Sequence, residues 1–137
     1  MGRSVQIKSF FAGLLLLASL ALLVAGSASA SRRIVTPSKI SIKSSELRFA
    51  GHVTTSSYPS CEEDRKVVLY KAVGNGPAEP IARTRTDDSG AWSVKVSGFA
   101  GISLTPFFAR VKPSSQGAAG TIYDCAGARS KTIKLSP

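Results

Sequence analysis

From Lys39 to Leu135 the chain keeps returning to one rhythm, an apolar side chain at every second residue in short runs. Ile40 and Ile42 alternate with Lys39, Ser41 and Lys43, and Leu47, Phe49, Gly51 and Val53 alternate with Arg48, Ala50 and His52. Trp92, Val94 and Val96 repeat the pattern, as do Ile133 and Leu135. Period two is the signature of a strand with one face in a core. After the N-terminal leader, no window holds an apolar stripe at helical spacing for more than two turns, which argues against a helical bundle. Two runs are denser. Arg65 to Ala72 carries Val67, Val68, Leu69 and Tyr70 and reads as a central strand; Leu104 to Lys112 carries Phe107, Phe108, Ala109 and Val111. Ile81 to Thr86 is weaker, sets Arg83 and Arg85 on one face, and reads as an edge. About seven short strands in about 100 residues predict an all-β fold, an antiparallel sandwich.

The segments between these runs carry turn chemistry. Ser56 to Ser60, Gly74-Asn75-Gly76-Pro77, Asp87-Asp88-Ser89-Gly90 and Ser114-Ser115-Gln116-Gly117 are expected to be turns or loops. Residues 31–37 read as a flexible N-terminal arm and residues 38–137 as a single β-sandwich domain. Ahead of them, Arg3 and Lys8 precede an uncharged apolar run from Phe10 to Ala25, followed by small residues ending in Ala28-Ser29-Ala30. That is the head, core and small-residue pattern of a secretory signal peptide, residues 1–30, with cleavage after Ala30. The 16-residue run is shorter than the roughly 20 residues a membrane span needs. Arg32 and Arg33 follow the apolar run, so they are not a twin-arginine export signal. The expected product is secreted or resides in the cell envelope, with no membrane span after cleavage.

Export decides how the two cysteines are read. Cys61 and Cys125 both survive cleavage into an oxidising compartment, so a disulfide is expected between them. Cys61 falls in the loop before the central strand and Cys125 in a long loop before the last strand. The bond is expected to pin two loose loops at one end of the sandwich. Trp92 opens a strand directly after a Gly turn and is read as a core anchor. Asp87 or Asp88 can accept hydrogen bonds from backbone N–H groups two residues on, while Gly90 supplies a positive φ to close a hairpin. Adjacent carboxylates also suit calcium, but the alternating acids and terminal Glu of an EF-hand loop are missing. The segment is read as a turn, and no metal or cofactor is expected.

An ordered series goes beyond generic patterning. Gly51-His52-Val53, Arg65-Lys66-Val67-Val68-Leu69-Tyr70, Thr86-Asp87-Asp88-Ser89-Gly90-Ala91-Trp92 and Phe108-Ala109-Arg110-Val111 follow one another along the chain. The series resembles the carboxypeptidase regulatory-like, or transthyretin-like, group of β-sandwich domains. With a cysteine before the Arg65-Lys66-Val67 strand and another before Ser130 to Ile133, it looks most like small exported actinobacterial proteins carrying such a domain. The resemblance spans roughly Leu47 to Leu135 and implies an Ig-like or transthyretin-like sandwich, with little bearing on activity.

Enzymatic constellations are not found. His52 lies mid-strand, and the chain has no nucleophile-elbow G-x-S-x-G, P-loop or G-x-G-x-x-G. Glu62, Glu63 and Asp64 are consecutive, whereas a glycosidase needs opposed carboxyls across a cleft, and they read as a solvated acidic loop. No catalytic residue is assigned. Charge is the functional clue. Without the leader, 107 residues carry 16 Lys and Arg against 8 Asp and Glu, a net +8. Such an excess attracts polyanions, although a basic surface serving only solubility accounts for it equally. The basic residues are spread along the chain, and no specific nucleic-acid signature is present. The expected function is a non-enzymatic binding or interaction module whose partner is an anionic envelope polymer or another exported protein. Alternatives are a structural envelope protein and a stand-alone accessory domain for an exported hydrolase.

Overall fold

The computed structural model describes residues 30–97 and 105–135. The segment expected to be a signal peptide, apart from Ala30, lies outside the described residues, as does the start of the Leu104 to Lys112 run. Among the described residues the fold is all-β, with twelve strands and a single 3-10 turn at Pro59–Cys61. The strand number exceeds the expected seven because short polar strands join the apolar ones.

Two sheets enclose the core. The first is ordered β11 (Ala128–Arg129), β8 (Pro106–Val111), β5 (Lys66–Lys71), β6 (Glu79–Arg85), with β12 (Ile133–Lys134) also paired to β8. The second is built around β4 (Arg48–Thr55). β2 (Ser38–Ile40) and β3 (Lys43–Ser45) pair with β4 in one continuous register, and β7 (Ala91–Lys95) also pairs with it. Alternation decides what points inward. Phe49 and Val53 on β4, Val67 and Leu69 on β5, Trp92 on β7, and Phe107, Ala109 and Val111 on β8 form one buried cluster. Phe49 and Phe107 meet across the sheets with ring centroids 5.0 Å apart. As expected, β5 is interior and β6 is an edge.

A third sheet, ordered β1 (Arg32–Thr36), β10 (Thr121–Cys125), β9 (Ser114–Ala118), corrects three expectations. The segment expected to be a flexible arm is a strand, paired in parallel with β10 from Arg32 opposite Thr121 to Thr36 opposite Cys125. Its backbone groups find partners, and Arg33 clasps Asp124 on β10 at 2.7 Å. Ser114 to Gly117 is likewise part of a strand, and Cys125 ends a strand instead of lying in a loop. Ala119 and Gly120, at φ +47° and +81°, supply the two positive-φ residues of a tight hairpin turn between β9 and β10.

The Asp87 segment is a turn but not a hairpin. It carries the chain from β6 in the first sheet to β7 in the second, so the flanking strands do not pair with each other. Gly90 has φ +79° and donates its N–H to the Asp87 carbonyl, while its own carbonyl accepts from Val53 N–H at 2.8 Å. A Cβ on Gly90 would stand 2.3 Å from the Val53 carbonyl oxygen. The turn is docked on β4, and this contact redirects the chain from one layer to the other.

Candidate functional site

The outward face of the β11–β8–β5–β6 sheet collects side chains that are far apart in sequence. On β5, Val67 and Leu69 face the core, which leaves Lys66, Val68 and Tyr70 outside. Cross-strand register then aligns Arg129, Arg110, Val68 and Arg83 in one row across four strands. Lys112, Lys66 and Arg85 form the next row: Lys66 is opposite Arg85, and Lys112 N–H donates to the Lys66 carbonyl at 2.9 Å. Tyr70 opposite Phe108 forms a third row. All six cations in the first two rows are exposed, and Lys134, opposite Pro106 beyond the third row, is a further exposed cation on this side.

Beneath the cations lies an apolar floor. Val68 and Phe108 are 5% and 3% exposed although neither belongs to the core cluster. The Tyr70 and Phe108 rings stack at 5.2 Å, nearly parallel. The Arg129 guanidinium carbon sits 3.9 Å from the Phe108 ring centre, and that of Arg110 is 5.5 Å from Phe108 and 5.6 Å from Tyr70. Cation–π attraction holds these guanidinium groups near the rings without neutralising them. Among the described residues only Arg85 of the six has a carboxylate partner, Asp64 at 2.8 Å. A groove of about 630 Å³ runs past Lys66, Val68, Arg83, Arg85 and Lys112.

The sequence singled out Arg83 and Arg85 as sharing a face but did not join them to the others. The usable signal was parity: Lys66-x-Val68, Arg83-x-Arg85 and Arg110-x-Lys112 each place side chains on one side of a strand. Spread through the chain, the basic residues are gathered on this face by strand pairing.

The residues singled out from sequence go elsewhere. Cys61 and Cys125 form the expected disulfide, with Cα atoms 5.4 Å apart and both side chains fully buried. Beside it lies a buried cation, set just before β5, whose role the alternation of the strand does not signal. Arg65 is 1% exposed, and its guanidinium donates to the carbonyls of Cys61, Lys112, Cys125 and Ala126 and to Ser38 Oγ. Burial lowers its pKa from the ordinary arginine value. Trp92 is buried in the core opposite Gly51, where a side chain would strike the Ser41 carbonyl.

Asp87 Oδ1 accepts from Ser89 N–H, Ser89 Oγ and Ala91 N–H, and these bonds to Ser89 and Ala91 hold its carboxyl below the usual carboxylate range. Asp88 is exposed. Glu62 departs from a solvated acidic loop: it is half-buried and accepts from Thr55 N–H at 2.8 Å. Glu63 is exposed. His52 is exposed on the outer face of β4. Among the described residues no three His, Cys, Asp or Glu side chains converge as a metal site, and no helix is long and apolar enough to cross a membrane.

No protein-family model, curated protein or solved structure matches the chain. With six exposed cations in two rows, four of them guanidinium groups, and one carboxylate at their margin, the face presents concentrated positive charge.

Proposed function

We propose that this protein is a secreted, non-enzymatic binding module that takes a linear anionic polymer on the outer face of the β11–β8–β5–β6 sheet. One observation carries the reading: five of the six cations in this array have no carboxylate partner among the described residues. A surface kept basic only for solubility has no need to anchor guanidinium groups on buried rings. Anchoring removes rotamer freedom before binding, so less ordering remains to oppose association. A signal-peptide-like segment ending at Ala30 and the disulfide support a partner among exported and envelope polymers. The resemblance to carboxypeptidase regulatory-like or transthyretin-like domains belongs to the same proposal and bears on the sandwich, not on the ligand.

The opposite outer face supplies the control. Lys43, Arg48 and Lys95 are exposed there, among Ser and Ala side chains and with His52 in the next row, and no Phe, Tyr or Trp ring holds a guanidinium group on that face among the described residues. Two triple variants, Lys66→Gln/Arg83→Gln/Arg110→Gln and Lys43→Gln/Arg48→Gln/Lys95→Gln, remove equal charge. Retention on dextran sulfate resin is expected to collapse for the first and to fall slightly for the second. Equal losses would assign retention to net charge alone and sink the proposal.

A further inference from the structure

We infer that the ligand of this face is a linear phosphodiester chain, gripped through three to four successive phosphates and read by charge spacing without base stacking. The inference rests on the polyanion reading and adds what the polymer must look like.

Spacing comes first. Neighbouring strands lie about 5 Å apart and same-face residues along a strand about 7 Å apart. Arg129, Arg110 and Arg83 in one row and Lys112, Lys66 and Arg85 in the next therefore make a two-row lattice about 15 Å across, the width of four strands. In the second row the cations follow at about 5 Å, whereas in the first Val68 opens a gap of about 10 Å between Arg110 and Arg83. An extended chain with one charge about every 5–7 Å therefore meets three or four cations by stepping between the rows and then leaves the face. Extended phosphodiester chains repeat on this scale, and each unit carries one charge and two free oxygens. Those oxygens match the forked N–H edge of a guanidinium, and four of the six cations are Arg.

The second step concerns the rings. Aromatic side chains on a sheet face commonly stack nucleobases, but only where a ring face is open. Here Phe108 is 3% exposed because Arg129 and Arg110 lie over it and Tyr70 stacks beside it. Phe108 therefore supports the guanidinium groups and offers no platform to a base, and the half-buried Tyr70 already stacks on Phe108 with Arg110 beside it. The in-plane donors remain open to the ligand: Arg110 makes no side-chain hydrogen bond in the described structure, and Arg129 makes one, at 3.5 Å to Thr132.

The test measures fluorescence anisotropy of the intact purified protein with labelled oligomers of two to twelve phosphates. Oligothymidylate, an abasic phosphodiester of equal length, and an oligouronate of equal charge are compared at 50 and 200 mM NaCl. Thymidylate and the abasic chain are expected to bind within threefold of one another. Affinity should climb steeply to about four phosphates and afterwards rise only with the number of registers. With about 0.7 counterion released per neutralised phosphate, three to four contacts predict roughly a 20- to 50-fold loss across that fourfold rise in salt. Phe108→Leu, which keeps the apolar cover but removes the ring, should weaken both phosphodiesters to the same extent. A preference above tenfold for thymidylate, a Phe108→Leu loss confined to it, or tighter binding of the uronate overturns the inference while the polyanion reading stands. Failure to bind any of the three overturns both.

Discussion

Arg65 and Arg110 carry the same group in opposite surroundings. At the disulfide end, Arg65 is buried and its terminal nitrogens are consumed by four backbone carbonyls and a serine hydroxyl, with no carboxylate among its hydrogen-bond partners. On the outer sheet face, Arg110 is exposed, has its guanidinium carbon 5.5 and 5.6 Å from two ring centres and makes no side-chain hydrogen bond in the described structure. A guanidinium that uses its N–H edge inside the protein is a brace, tying the 3-10 turn, β10 and the end of β8 together. One that uses only its plane is fixed in place yet still able to bind an oxyanion. The contrast is between edge and face of one planar cation, and it separates residues that hold the fold from residues offered to a ligand.

Replacing each arginine in turn by Met is the harshest way to break this contrast. Arg65→Met strands several buried carbonyls, at roughly 1–3 kcal/mol for each acceptor left without a donor, and should cost about 5 kcal/mol in all. Arg110→Met exposes a thioether and forfeits a surface cation–π contact, worth less than about 1 kcal/mol. Urea unfolding midpoints compare the two directly. Similar shifts for both would mean that the carbonyl cage around Arg65 contributes little and that the distinction fails.

The covalent tie at the same end should rank next. Cys61 and Cys125 close a loop of 64 residues, worth about 4 kcal/mol in the chain-entropy account. The Cys61→Ser/Cys125→Ser protein should unfold at correspondingly lower urea yet keep its polyanion affinity, because the sheet face lies on other strands. A loss of affinity that tracks the loss of stability would show that the two regions are not separable in the way proposed.

Much of the sandwich was legible in the sequence because its core strands alternate. Phe49 and Val53, Val67 and Leu69, and Phe107, Ala109 and Val111 occur at the spacing that buries one face. The β1–β10–β9 sheet was not legible. Strand β9 reads Ser-Ser-Gln-Gly-Ala and has no apolar face, so what fixes it is backbone pairing, a two-residue turn and the Arg33–Asp124–Ser115 network, all of which require the partner to be known. The candidate face was legible only in pieces. Arg-x-Arg and Arg-x-Lys each announce a shared side, but strand order decides whether the sides coincide. Arg65 gave no signal, since a basic residue at the start of a strand is ordinarily solvated. The Asp87 turn was recognised by its chemistry, whereas its change of sheet depends on the seat that β4 offers Gly90.

The mildest test uses acid and compares two carboxylates that are exposed or half-buried but well supplied with donors. Asp124 is held below the ordinary carboxylate range first by its side-chain bond to Arg33 and then by Ser115; Asp87 is held there by Ser89 and Ala91. A depressed folded pKa means that the unfolded chain takes up protons first as pH falls. The stability these groups supply is therefore complete above the unfolded carboxyl value near 4 and drains away as pH drops through the lower folded values. The two carboxyls should add no slope to the urea midpoint above pH 5 and a downward slope below pH 4. Asp124→Asn, which unpairs Arg33 on β1, should start lower and fall less steeply in acid than the wild type. Its shortfall, present at neutral pH and closing in acid, should be confined to the β1–β10–β9 sheet, detectable at pH 7 as faster amide exchange in β1 while the β5 amides stay protected. Parallel acid curves for the variant and the wild type would remove the Arg33–Asp124 clasp from the account of why residues 32–36 form a strand.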